Sequence, residues 1–122
     1  IYDRLSKFTK LSKRRNEYRR AEIEYNKSLR DVESEVRRAV SDRDGAESAL
    51  LQAERRADAQ EESFRLNSRK FEQGLISSIE YNTASSNYLK AKAERLNALL
   101  KWQLKRRVVS YYNGTRYIDQ EE

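Results

Sequence analysis

A chain of 122 residues can form one domain at most, and with 38% charged residues, 37% hydrophobic residues and a mean hydropathy of −1.08 it is too polar to wrap a compact core. Proline is absent where about six would be expected at average usage. Cysteine and histidine are absent too, which excludes thiol nucleophiles, histidine acid–base chemistry and the common zinc sites, so neither a cofactor nor a metal is expected.

Ala, Glu, Lys, Arg, Leu and Ser dominate, which suits long helices. Eight Tyr, three Phe and one Trp argue against disorder. The chain starts at Ile1 with neither Met nor a signal peptide and is read as a piece of something longer. No stretch approaches the roughly 18 apolar residues of a membrane-spanning helix.

From Phe8 to Phe71 the apolar residues fall into two interleaved heptad series. One runs through Phe8, Leu29, Val36, Leu50, Ala57, Phe64 and Phe71; the other runs through Leu11, Tyr18, Tyr25, Val32, Ala39, Ala46 and Ala53 and continues to the polar Gln60 and Asn67. Fourteen of the nineteen series positions are apolar, enough to predict a coiled-coil helix over about 3–72. At 1.5 Å per residue it would be roughly 105 Å long. Gly45 keeps the register, so at most a bend or a close helix contact is expected there.

The stop comes at Gly74, just past the last periodic residue, where a left-handed C-cap belongs. A start signal follows. Ser77 is placed as an N-cap with Glu80 at the third helical position to close a capping box, and Ile76 with Tyr81 as a hydrophobic staple; Ser78 is an alternative cap one residue on. Residues 73–77 are therefore the tip between two antiparallel helices.

The second helix is predicted over about 78–112, with a tail at 113–122. One face carries Tyr81, Ala84, Tyr88, Ala91, Ala98, Trp102, Val109 and Tyr112, and a second stripe runs through Leu89, Ala93, Leu96, Leu100, Leu104, Val108 and Tyr111. Two stripes imply contacts on two sides, whereas a lone hairpin needs one. Folded back from Gly74, this helix reaches only to about residue 38. Leu5, Phe8, Leu11, Tyr18, Tyr25, Leu29 and Val32 then need cover from elsewhere. The fold class is all-α: a long antiparallel coiled-coil hairpin whose first helix is about twice the length of its second.

Charge is uneven, at +5 over residues 1–38, −3 over 39–80 and +7 over 81–118. Basic runs occur at Lys13-Arg14-Arg15, Arg19-Arg20 and Lys105-Arg106-Arg107. Acids are interspersed through the first helix and there is no base-reading motif, so these runs read as solvated faces and no nucleic-acid partner is expected. The carboxylate pairs Glu61-Glu62, Asp42 with Asp44 and Asp58 with Glu62 lie on a continuous helix without a desolvating pocket, so no enzyme is expected.

The tip "FEQGLISSIEYNTASSNYLKAKAERLNALL" and the ending "RRVVSYYNGTRYI" resemble the C-terminal part of TolC-like outer-membrane efflux proteins. "Ile1-Tyr2" before a long helix is similar to the family's handover from its last barrel strand. The resemblance covers essentially the whole chain. It implies a homotrimer in the full-length protein, with a β-barrel in the outer membrane of a Gram-negative bacterium continued by an α-helical tunnel across the periplasm. This chain would be the tunnel's second hairpin, a single periplasmic segment serving efflux or type I secretion.

The resemblance also implies roles. Gln73, Gly74, Leu75, Ile76 and Ser77 would dock the periplasmic adaptor, or membrane fusion protein, which links the tunnel to an inner-membrane transporter. Glu80 matches the first of the family's entrance acids. Thr83 stands where some members carry another acid, so a constriction here would be weaker or differently selective. The bland alternatives are that Gly74 and Ser77 only make a turn and that Glu80 only caps a helix. Two rival functions share the architecture: the α-hairpin of an adaptor, and a freestanding coiled-coil scaffold.

Overall fold

The computed structural model describes residues 1–114 of the chain. The predicted tail lies outside the described residues from Thr115 on, as does the end of the "YYNGTRYI" motif. Two helices account for nearly all of the rest: α1, Tyr2–Glu72, and α2, Ser78–Tyr112, of 71 and 35 residues. They pack against each other as a hairpin, and no strand occurs among the described residues. The expected all-α class and the two-to-one helix lengths are both present.

The chain divides between Arg38 and Ala39 into two units. The second contains the hairpin seam. Ala39, Leu50, Ala53 and Ala57 of α1 are buried with Ala84, Ala91 and Val109 of α2. These α1 residues belong to the two heptad series, because a 3-4 spacing keeps one stripe of a slightly underwound helix facing its neighbour. Five of the seven are alanine, and short side chains let two helix backbones approach closely. Charges tie the flanks: Arg56 Nη1 lies 3.8 Å from Glu94 Oε2, and Lys105 Nζ lies 3.8 Å from Asp42 Oδ2.

Toward the tip the alanines give way to rings. Phe64 stacks on Tyr88 with centroids 5.5 Å apart and meets Tyr81 at 5.7 Å, and Phe71 stacks on Tyr81 at 4.6 Å. Larger side chains fill the seam as the chain approaches its reversal. Each such aromatic pair adds about 0.5–1.5 kcal/mol beyond the area it buries.

The first unit, residues 1–38, is helical throughout from Tyr2 and has no buried residue. Phe8 is 76% exposed and Tyr18 73%, with Leu5, Leu11, Tyr25, Leu29 and Val32 all more than half exposed. Its heptad seam thus has no partner among the described residues. Gly45 sits inside α1, and a Cβ added there would meet nothing within 4 Å, so the glycine serves no close helix contact.

Candidate functional site

The tip is built by two caps set back to back. At the end of α1 the Leu75 amide donates to the Lys70 carbonyl at 2.8 Å and the Gly74 amide to the Phe71 carbonyl at 3.0 Å. This pair of bonds is a Schellman motif, which requires a residue with positive φ, and Gly74 has φ +71°. Only glycine takes that conformation without a Cβ clash. The positions that usually give the residue after the glycine an apolar contact are Arg69 and Lys70 here. Leu75 accordingly remains 68% exposed.

Ser77 begins α2. Its backbone is extended, with φ −77° and ψ 161°, and its hydroxyl accepts a hydrogen bond from the Glu80 amide at 3.2 Å. The return bond of a capping box is not made, and the Glu80 carboxylate has no hydrogen bond or ion pair among the described residues. It still lies in the first turn, where the helix dipole favours an anion. Ile76 is half-buried, Gln73 and Ser77 are exposed, and Ile79 is 76% exposed. Leu75 and Ile79 therefore put two bare aliphatic side chains on a tip whose backbone is held by both caps.

Behind the tip lies an open groove between the helices, part of its lining the apolar Ile79 and Ala84. Gln60, Ser63 and Asn67 line it from α1, and Glu80, Thr83 and Asn87 from α2. Asn67 donates weakly to the Ser63 hydroxyl at 3.5 Å, and the Thr83 hydroxyl donates back to the Ile79 carbonyl at 2.9 Å. The two residues suggested for an entrance constriction thus share one groove with four uncharged polar residues. Such a wall can hydrogen-bond water or polar solutes. It offers no nucleophile paired with a base, and no described group of three His, Cys, Asp or Glu is arranged to hold a metal ion.

Sequence reasoning missed two parts of this site. Gln60 and Asn67 interrupt the heptad series with uncharged amides one heptad apart, a signal that the seam turns polar before the tip. Ile79 falls outside the register of Tyr81, Ala84 and Tyr88, so an apolar residue there had to be exposed. No described helix is long and apolar enough to cross a membrane.

A family model described as "Outer membrane efflux protein" matches residues 4–111, which takes in both helices and the tip. No curated protein and no solved structure matches the chain.

Proposed function

The chain belongs to the outer membrane efflux protein family, and from that premise we propose that it is part of the periplasmic helical tunnel of a TolC-like export channel. In this reading it is one helical hairpin of the tunnel wall. It acts as conduit and docking surface and does no chemistry of its own.

The observation that carries the docking role is Leu75, 68% exposed on a backbone fixed by the Gly74 and Ser77 caps. An aliphatic side chain in water gains free energy when a partner covers it, and a backbone already fixed by its caps loses little conformational entropy on binding. The partner would be the periplasmic adaptor, reached by Gln73, Gly74, Leu75, Ile76 and Ser77, with an inner-membrane transporter engaged through it. Glu80 and Thr83, on the groove behind the tip, would face the passage at its entrance, one carboxylate and one hydroxyl per copy in a homotrimer.

The unpaired seam of residues 1–38 supports the tunnel reading independently. Phe8, Leu11, Tyr18, Tyr25, Leu29 and Val32 repeat at coiled-coil spacing, and such a stripe is stable in water only when another helix covers it. A freestanding scaffold would bury its own seam. An adaptor hairpin would share the shape, but the family match is to the channel side.

The absence of cysteine supplies the test, because a single introduced thiol is then a unique handle in this segment. In the full-length protein in intact cells, Leu75→Cys should crosslink to the adaptor through a short bifunctional reagent, while Gln52→Cys on the shaft should not. Crosslinks from the shaft alone, or a parent protein found in the cytoplasm, would overturn the assignment.

A further inference from the structure

Two charged residues stand inside the apolar seam of the first unit. Between Phe8 and Leu29 the first heptad series passes through Arg15 and Glu22. Arg15 lies seven residues after Phe8, four after Leu11 and three before Tyr18, which are the spacings of one helix face, and all four residues are exposed. Any helix that covers Phe8, Leu11 and Tyr18 therefore takes the Arg15 guanidinium out of water as well.

α1 offers Arg15 no counterion. The residues three and four away on either side are Leu11, Ser12, Tyr18 and Arg19, so the one charge among them has the same sign. Arg15 enters no ion pair among the described residues. Glu22 is placed differently, since Arg19 stands three residues before it, close enough on the same helix face to neutralise it.

The same heptad series contains an arginine in the second unit, where α2 packs on α1. Arg43, four heptads after Arg15, is half-buried, and its Nε and Nη2 donate to Asp44 Oδ1 at 3.3 and 3.2 Å. An arginine of this series under a covering helix thus carries a carboxylate on its fork. Next to Arg15 the corresponding position is Asn16, an uncharged amide. The carboxylate for Arg15 has to come from the helix that covers it.

We infer that this helix presents an Asp or Glu opposite Arg15, and that the resulting ion pair fixes which helix docks on residues 8–32 and in what register. The inference rests on the tunnel reading for the presence of a neighbouring helix in the wall, and adds the residue that neighbour must carry. Apolar burial along the seam supplies attraction but changes little when one helix slips past the other by a heptad. A slip leaves the guanidinium and the carboxylate both desolvated and unpaired, which is strongly destabilising.

A second copy is the weaker occupant. In parallel register it sets Arg15 against Arg15 and Glu22 against Glu22. An antiparallel copy brings Glu22 toward Arg15, but copies arranged around one tunnel axis all run the same way.

The test uses the full-length protein, and Arg15→Leu is the decisive variant because it continues the apolar stripe. With a carboxylate opposite, the leucine leaves that acid buried and alone, and the thermal midpoint of the assembled protein should fall by several degrees. Arg15→Glu should lower it further, while Lys13→Glu, the same charge change away from the seam, should leave it unchanged. In the 122-residue chain by itself, where nothing covers the seam, Arg15→Leu should leave the helicity seen by circular dichroism unchanged. Second-site changes that restore export to Arg15→Glu should replace one Asp or Glu of another helix by Lys or Arg.

A midpoint raised by Arg15→Leu, an equal fall with Lys13→Glu, or a matching loss of helicity in the 122-residue chain would each overturn the ion pair. Restoration through Glu22 would overturn the neighbouring helix and assign the carboxylate to a second copy. The Leu75→Cys crosslink tests the channel assignment separately, so a channel that docks its adaptor but is indifferent to Arg15 fails this inference alone.

Discussion

Phe71, the penultimate residue of α1, and Tyr81, in the first turn of α2, stack with ring centroids 4.6 Å apart and planes 20° from parallel. The pair closes the hairpin immediately inside its turn. Tyr81 also meets Phe64 at 5.7 Å, so a single tyrosine ties the tip to the α1 turn beneath it. Removing that ring in Tyr81→Ala should cost about 2–4 kcal/mol, at the lower end of large-to-small core changes because Tyr81 is half-buried. Denaturant unfolding followed by circular dichroism checks it, and Tyr81→Phe, which keeps the stack, should cost far less.

Gly74→Ala should destabilise the hairpin by about 1–2 kcal/mol, because the residue must hold φ +71°. The cause is backbone conformation alone, since an added Cβ would meet nothing within 4 Å. Gly74→Asn, whose side chain tolerates the left-handed region, should lose less. Equal losses for the two variants would point to crowding at the tip and away from strain.

Gly45→Ala should do the reverse. Gly45 is an ordinary helical residue in open space, and alanine there gains about 1 kcal/mol of helix propensity with nothing to displace. A higher midpoint in thermal unfolding is the expected result.

The cross-helix ion pairs should matter little to stability. Arg56 and Glu94 side chains are 63% and 43% exposed, and Lys105 and Asp42 are 44% and 49% exposed. A double-mutant cycle on either pair should give a coupling of about 0.2–1 kcal/mol that shrinks as salt is added. Their geometry instead reflects which residues the seam brings face to face.

At the tip, Leu75→Ser should change stability by no more than about 0.5 kcal/mol, since Leu75 is 68% exposed. The same substitution in the full-length protein should reduce export of its substrate if the adaptor docks there. An efflux assay beside a melting curve separates the two effects: unchanged melting with lost export supports docking, and unchanged export removes Leu75 from the contact.

The helices and their reversal were legible in the sequence because each rests on local physics. A 3-4 apolar spacing repeats over Phe8–Phe71 whatever the rest of the chain does, and Gly74 with Ser77 marks an end and a beginning through backbone conformation and a single hydroxyl. Leu5, Phe8, Leu11, Tyr18 and Leu29 were legible as uncovered for an equally simple reason, since α2 at half the length of α1 runs out near Ala39.

The tertiary structure decided what depends on two helices at once. Arg56 faces Glu94 and Lys105 faces Asp42 because the alanine-lined seam sets both rotation and register, which neither helix specifies alone. Gln60 and Asn67, polar breaks in a heptad series, became one wall of a groove only when Glu80, Thr83 and Asn87 stood opposite. Of the two apolar stripes on α2, periodicity treated both as contact surfaces. Packing chose the alanine and aromatic stripe for α1, since small residues permit close approach, and left Leu89, Leu96, Leu100 and Leu104 each more than half exposed.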